Sequence, residues 1–373
     1  MNRRDFLRTA GSVAGGFAFS GQACLLAANS GWRTFEVTTQ VEVLKPSGTT
    51  RVWLPAALIR NTPYQKTLAN IIHCENGAAK TIVNKADALG ILVAEFPPGA
   101  KPIVGVTSRV ATRDWAVDIS AGGKAPKTRE ADLGYYLRPT HLLPTDGIVK
   151  ETAEQITRNL QTDTEKAHAV YEWIVENTYR NPKTQGCGIG DIRFLLESRD
   201  LGGKCADLNA LYVGLARAAG LPARDVYGIR VAKSEFGYKS LGAASENVSK
   251  SQHCRAEVYL NEYGWVPVDP ADVRKVMLEE PPGNRPADDE MVKKARARLF
   301  GSWEMNWMAY NFAHDVALPG SSGKPLGFLM YPQAETADGR LDSLDPGSFK
   351  YEITSREIAA AHADAGTVRS RVY

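Results

Sequence analysis

The sequence predicts an α+β protein in which an antiparallel β-sandwich precedes a mixed unit of helices and strands. Three observations carry this. Apolar residues alternate with period two between Trp32 and about Ile119, and they recur near period 3.6 after about residue 135. At about 100 to 200 residues per domain, 373 residues suffice for two separate cores. Composition is that of a folded chain, with 43% hydrophobic and 23% charged residues. Lys and Arg total 45 against 42 Asp and Glu, a net charge of +3. That is too small for phosphate neutralisation to organise the molecule, so no nucleic acid partner is expected.

Residues 1–30 read as an export leader. Arg3 and Arg4 form a twin-arginine pair ahead of a weakly apolar, Gly- and Ala-rich run from Ala10 to Ala28, a pattern that resembles a Tat-type signal peptide. A buried N-terminal helix fits less well, because Gly11, Gly15, Gly16 and Gly21 would each weaken it by about 1 kcal/mol. The expected location is periplasmic or secreted. Losing Arg3, Arg4, Arg8 and Asp5 with residues 1–28 lowers the charge from +3 to +1. No later segment offers the about 20 consecutive apolar residues of a membrane span, so no integral membrane segment is expected after leader removal. Of the five cysteines, Cys24 leaves with the leader, while Cys74, Cys187, Cys205 and Cys254 remain. Five exclude a disulfide scaffold without excluding a reactive thiol.

Residues 31–120 are assigned to the sandwich. Phe35, Val37, Thr39, Val41 and Val43 alternate; 51–54, 91–96 and 103–110 give further strands, separated by Pro-Ser-Gly, Asn-Gly and Pro-Pro-Gly turns. His73 beside Cys74 has no further ligands nearby and reads as a structural pair. Residues 121–134, rich in Gly, Pro and charge, form the predicted linker. The second domain is assigned to 135–355 and a C-terminal tail to 356–373.

Within that domain, Ile148, Thr152, Ile156 and Leu160 suggest one helix. Ala167, Val170, Tyr171 and Ile174 define another, behind a start signal at Thr162 and Asp163. Residues 191–198 give a third. Leu208, Leu211, Tyr212 and Leu215 then mark a helix over 206–219, which Gly220 stops. Strands are predicted at 226–231, 254–260 and 264–268. Trp303 and Trp307, four residues apart, suggest a helical packing stripe.

Cys205 falls in the first turn of the 206–219 helix, behind Gly202 and Gly203, which allow close backbone approach. The positive end of the helix dipole favours its thiolate, and free N–H groups there can receive a developing oxyanion. His253 precedes one strand and Asp269 ends the next. Hairpin pairing through the 261–264 turn brings their far ends roughly level. The order Cys, His, Asp is therefore spatially feasible.

These residues lie in the blocks Gly-Lys-Cys205-Ala-Asp-Leu-Asn-Ala-Leu-Tyr, His253-Cys-Arg-Ala-Glu-Val-Tyr-Leu and Gly264-Trp-Val-Pro-Val-Asp269-Pro. Together they resemble the three catalytic blocks of the bacterial transglutaminase-like superfamily. The resemblance implies a papain-like transglutaminase core with Cys205 as nucleophile, His253 as base and acid, and Asp269 orienting the imidazole. Many relatives carry Trp two residues after the His. Arg255 stands there in this chain, as part of a carboxylate-seeking subsite or as a surface residue. Tyr179 and Gln185 are the candidates for a second oxyanion donor.

Other readings are blander. Gly203-Lys204 lacks the remaining residues of a P-loop. Cys187, Cys205, His253 and Cys254 lack a C-x-x-C pair, and adjacent His253 and Cys254 should face opposite sides of a strand, so no metal and no cofactor are expected. His314-Asp315 reads as structural, His168 and the basic 293–298 segment as solvated. The loop over 232–252 leads directly into His253 and reads as a lid or specificity element. The favoured function is an exported cysteine peptidase or amidase acting on a peptide-like or protein substrate through a thioester. A transglutaminase using an amine acceptor, and a non-catalytic periplasmic binding or scaffold protein, are the alternatives.

Overall fold

A computed structural model of the chain describes residues 31–121, 123, 133–347 and 349–359. The predicted leader, most of the linker and the end of the tail lie outside these residues. The N-terminal strands are β1 (Arg33–Val43), β2 (Thr50–Pro55), β3 (Gln65–Glu75), β4 (Ala78–Asn84), β5 (Leu89–Phe96), β6 (Ile103–Thr112) and the short β7 (Trp115–Ala116). The alternation in β1 buries Phe35, Val37, Val41 and Val43. Antiparallel pairing sets Phe35 opposite Val110 and Val41 opposite Val104. Val41, Val43 and Val104 meet Val52, Leu54, Leu92 and Phe96 from the facing sheet in one sandwich core, whereas Phe35, Val37 and Val110 join the larger core around the helices.

The helical region contains α1 (Gly147–Ile156), α2 (Asp163–Asn177), α3 (Ile192–Ser198) and α4 (Cys205–Ala218), with β8 (Tyr179–Arg180) and β9 (Gly202–Gly203) between them. Thr162 and Glu165 cap α2 reciprocally, and Asp191 caps α3. Next come β10 (Ala223–Arg230), β11 (Gln252–Leu260), β12 (Gly264–Val268), α5 (Pro270–Glu279) and α6 (Glu290–Arg298). The chain finishes with β13 (Ser302–Trp303), β14 (Trp307–Asn311), β15 (Gln333–Thr336), β16 (Gly339–Arg340) and β17 (Phe349–Ile358). A four-stranded antiparallel sheet of order β12-β11-β10-β14 packs against α4, whose side chains are buried nearly all round.

Two sequence expectations change. The stretch 135–355 does not close on itself: β17 pairs with β1, and β15 pairs with β2, so the two sandwich sheets run β17-β1-β6-β3 and β16-β15-β2-β5-β4. The C-terminal strands cover edges that the N-terminal half would otherwise leave unpaired. Likewise β17 extends into the predicted tail at 356–358. Trp303 and Trp307 occupy β13 and β14 rather than a helix. Their spacing suits either period, and the strand register of β14 against β10 decides it.

The sandwich and the second sheet are joined by specific polar contacts. Gln65, fully buried on β3, donates to the Ala309 carbonyl at 3.0 Å and accepts from the Ala309 N–H at 2.7 Å. Thr112 on β6 donates to the Met305 carbonyl at 2.7 Å. Among the described residues no helix is long and apolar enough to cross a membrane.

Candidate active site

The site begins with two close backbone approaches. A Cβ on Gly203 would lie 2.5 Å from the Asp207 Cβ, and one on Gly202 would lie 2.2 Å from the Tyr179 ring. Only glycine lets this chain enter α4 here. Asp207 then accepts from the backbone N–H groups of Lys204, Ile189 and Gly190 at 3.0, 2.9 and 2.9 Å. It thereby ties the 186–190 turn to the first turn of α4. The Ala206 N–H donates to the Cys187 carbonyl at 2.9 Å. Cys205, one residue earlier, leaves its own N–H without an acceptor among the described residues. Its buried thiol opens onto a cavity of about 630 Å³.

β11 carries His253 to the same cavity. Its Nε2 lies 2.7 Å from the Asp269 Oδ2 at the end of β12, and both residues are buried. Asp269 uses its other oxygen to cap α5, accepting from the Asp272 N–H at 3.1 Å, with Pro270 in the first helical position. The Asn209 side chain donates to the Asp269 Oδ1 at 3.1 Å and to the Cys254 carbonyl at 2.8 Å. One residue of α4 therefore ties both strands behind Cys205. The structure thus brings together Cys205, His253 and Asp269 from three separate stretches of sequence.

Sequence reading did not find Asp272. One helical turn after Asp269, its Oδ2 lies 3.4 Å from the His253 Nε2. Arg230 grips its carboxylate at 2.6 and 2.8 Å. The cap signal, Asp269-Pro-x-Asp272, was present in the sequence, but the shared imidazole appears only in three dimensions. The donor atoms of His253, Asp269 and Asp272 lie within 4.8 Å of one another. Arg230 already neutralises Asp272, and the Arg255 Nε stands 3.6 Å from Asp269, so guanidinium groups match the carboxylate charge.

Electrostatics favour an ionised thiol. The donor thiols of Cys187 and Cys254 hold the Cys205 pKa well below the ordinary thiol value; burial opposes them, and His253 adds to them. Burial and Arg230 push the His253 pKa down, but Asp272 and Asp269 outweigh them and raise it. Burial raises Asp269, as does Asp272, against the pull of His253. For Asp272 the same burial penalty is overcome by Arg230 and His253, leaving it well below the usual carboxylate range. Cys187 and Cys254 move the other way: for Cys187 the Cys205 thiolate leads and burial adds, whereas for Cys254 burial leads.

Position decides the remaining readings. Arg255 is neither on the surface nor in a subsite: it is buried behind His253, donates to the Glu304 carbonyl at 2.9 Å and lies 4.7 Å from the Trp307 ring centroid. Burial lowers its pKa to about 10 despite Asp269. Tyr179 donates to Asp200 at 2.7 Å, and neither it nor Gln185 lines the cavity. The Tyr331 side chain does line it. Cys254 shares with His253 an approach to Cys205, because the start of α4 crosses β11 there. His314 lies 3.2 Å from Asp225, away from the cavity lining, and Asp315 accepts from the His141 N–H at 3.0 Å. Arg296 in the basic segment is bound to Glu172 and Glu176 of α2 rather than solvated. His168 packs edge-on against Phe300 at 4.9 Å. The 232–252 loop forms one cavity wall and is anchored: Glu280 accepts from the Lys239 and Ser240 N–H groups at 3.0 and 2.9 Å.

Comparison with known proteins agrees with this architecture. The model of the transglutaminase-like superfamily matches residues 150–270, which run from α1 through Asp269. A Haemophilus influenzae protein whose name carries no function is 35% identical over 351 residues, spanning 88% of this chain and 93% of the relative. A solved structure from Cytophaga hutchinsonii, titled as a candidate cysteine protease, aligns over 88% of this chain and 99% of its own. Its TM-score is 0.50 at 16% identity, a likeness of fold. The chain belongs to the transglutaminase-like superfamily.

Proposed function

We propose that this protein is a cysteine acyl-transfer enzyme that hydrolyses peptide-like amides, with Cys205, His253 and Asp269 as its catalytic residues. The observation that carries the reading is the buried 2.7 Å contact between His253 and Asp269 beside a thiol at a helix N-terminus. The Cys205 thiolate attacks the amide carbonyl carbon, and the oxyanion that forms is received by the free Cys205 N–H. His253, as imidazolium, gives its proton to the leaving nitrogen. The C–N bond breaks and a thioester remains. Water then attacks the thioester while His253 takes its proton, and the acid product leaves with the thiolate restored. Asp269 holds the ring in the orientation both proton transfers need.

Among the described residues no carboxylate lines the cavity, which supports water over a lysine-type amine as acceptor, since an ammonium group would meet like charge there. The leader at residues 1–30 supports export to the periplasm or beyond. The reading is tested with a peptide library incubated with and without a primary amine, using Cys205→Ala as control. Hydrolysis products and a covalent adduct on intact enzyme are expected, both lost in Cys205→Ala. Equal turnover by Cys205→Ala would overturn the proposal, and amine incorporation exceeding hydrolysis would favour a transglutaminase.

A further inference from the structure

The cavity over Cys205 has a one-sided charge. Arg180, Lys204, Arg230, Lys250, Lys275 and Lys350 all contribute to its lining, and among the described residues no Asp or Glu does. The whole chain is nearly balanced, 45 basic against 42 acidic residues, so this bias is local. Two of these cations are already committed: Arg230 to Asp272, and Arg180 to Glu279. Lys275 lies 3.8 Å from Glu279. Lys204, Lys250 and Lys350 have no carboxylate within ion-pair distance among the described residues.

Those three lysines come from separate parts of the sequence. Lys204 directly precedes the nucleophile, Lys250 stands three residues before His253, and Lys350 lies on β17, which reaches the cavity because it pairs with β1. The same cavity is lined by Ser249, Ser251 and Ser343, whose hydroxyls suit oxygen-rich groups. Leu344 and Phe349 supply apolar surface beside them. The volume lies within the range of ligand clefts.

We infer that this cavity selects acidic peptides, acyl substrates that carry one or more carboxylates beside the amide to be cleaved. The inference rests on the reading of Cys205 as nucleophile. Anionic groups entering the cavity exchange water for free ammonium groups from three stretches of the chain, while the pairs around Arg180 and Arg230 stay intact. At about 8 Å in a water-like dielectric, each free lysine is worth about a twofold preference for a single negative charge, and three give roughly tenfold. Salt screens such a preference steeply.

The test separates the charge of the cavity from the chemistry of the thiol. Cys205 in the full mature chain is alkylated with iodoacetate and with iodoacetamide at low salt, and the rate ratio is divided by that of free cysteine. A ratio about tenfold above free cysteine is expected. It should fall about twofold in each of Lys250→Gln and Lys350→Gln, collapse in about 0.5 M salt, and hold in Lys80→Gln on the distant β4. A second arm compares peptides matched except for Glu against Gln beside the cleaved bond, with the Glu peptide expected to show the higher kcat/KM by about tenfold. If iodoacetamide labels Cys205 selectively but the ratio equals that of free cysteine, or the Gln peptide is preferred, the acidic-peptide inference is overturned while the nucleophile stands. If neither reagent labels Cys205, the nucleophile reading fails and takes the inference with it.

Discussion

Asp272 places its Oδ2 3.4 Å from the Nε2 of His253, on the same nitrogen that Asp269 holds at 2.7 Å. Two buried carboxylates on one imidazole would repel each other if left alone. Arg230 and Arg255, one on each carboxylate, make the arrangement tolerable.

This division of labour predicts different losses. Asp269→Asn removes the group that orients His253 and should lower kcat by roughly 10³-fold or more. Asp272→Asn leaves that contact in place. It should lower kcat less, shift the His253 titration downward, and leave Arg230 buried without its partner, at a stability cost of about 3–5 kcal/mol. Histidine NMR titration and urea unfolding of both variants check this. A larger catalytic loss in Asp272→Asn would reverse the assignment.

The stability gap has a definite pH dependence. The Asp272 pKa is depressed in the folded state, so its contribution is complete above the unfolded carboxylate value of about 4 and is lost as pH falls through the folded value. The Tm difference between the parent and Asp272→Asn should narrow on acidification. His253 is raised, so its contribution is complete below about pH 6.5 and disappears as pH rises through the folded value. Calorimetry across the acid and alkaline limbs reads both; a gap widening below pH 4 would contradict the pairing.

Gln65 gives a test far from the chemistry. Its two hydrogen bonds with Ala309 join β3 to β14. Gln65→Leu leaves the buried Ala309 N–H without an acceptor, while the Ala309 carbonyl keeps the Leu58 N–H at 2.9 Å, and should cost about 1–3 kcal/mol. Denaturant unfolding measures it, and a neutral substitution would show that the contact between sandwich and core needs no such tie.

At Gly203, an added methyl would lie 2.5 Å from the Asp207 Cβ. Gly203→Ala must move the start of α4, which carries Cys205. A loss of about 2 kcal/mol or more, with slower Cys205 alkylation, is the expected outcome. Parent-like unfolding and alkylation would mean that the approach relaxes freely.

What the sequence made legible followed local physics. The period of Leu208, Leu211, Tyr212 and Leu215, ended by Gly220 at φ +87°, defines α4 with little outside help. The hairpin of β11 and β12 was legible from its turn, and with it the approach of His253 to Asp269. The rest depends on partners distant in sequence. β15 has only four residues, and β17 gains its place by pairing with β1 some 300 residues earlier. Arg255 sits in a position that reads as surface until Trp303 and Trp307 are folded over it. Lys350 could not be placed at the cavity without β17, so the charge of the cleft was hidden along with the strand that completes it.

The central claim, an activated thiol at Cys205, is tested most directly by iodoacetamide alkylation across pH with mass spectrometric localisation. The account predicts labelling at Cys205 with a half-maximal rate well below the ordinary thiol value of about 8.5, while Cys187 and Cys254 stay unlabelled at neutral pH. A Cys205 profile centred at about 8.5, or equal labelling of all three, would contradict it.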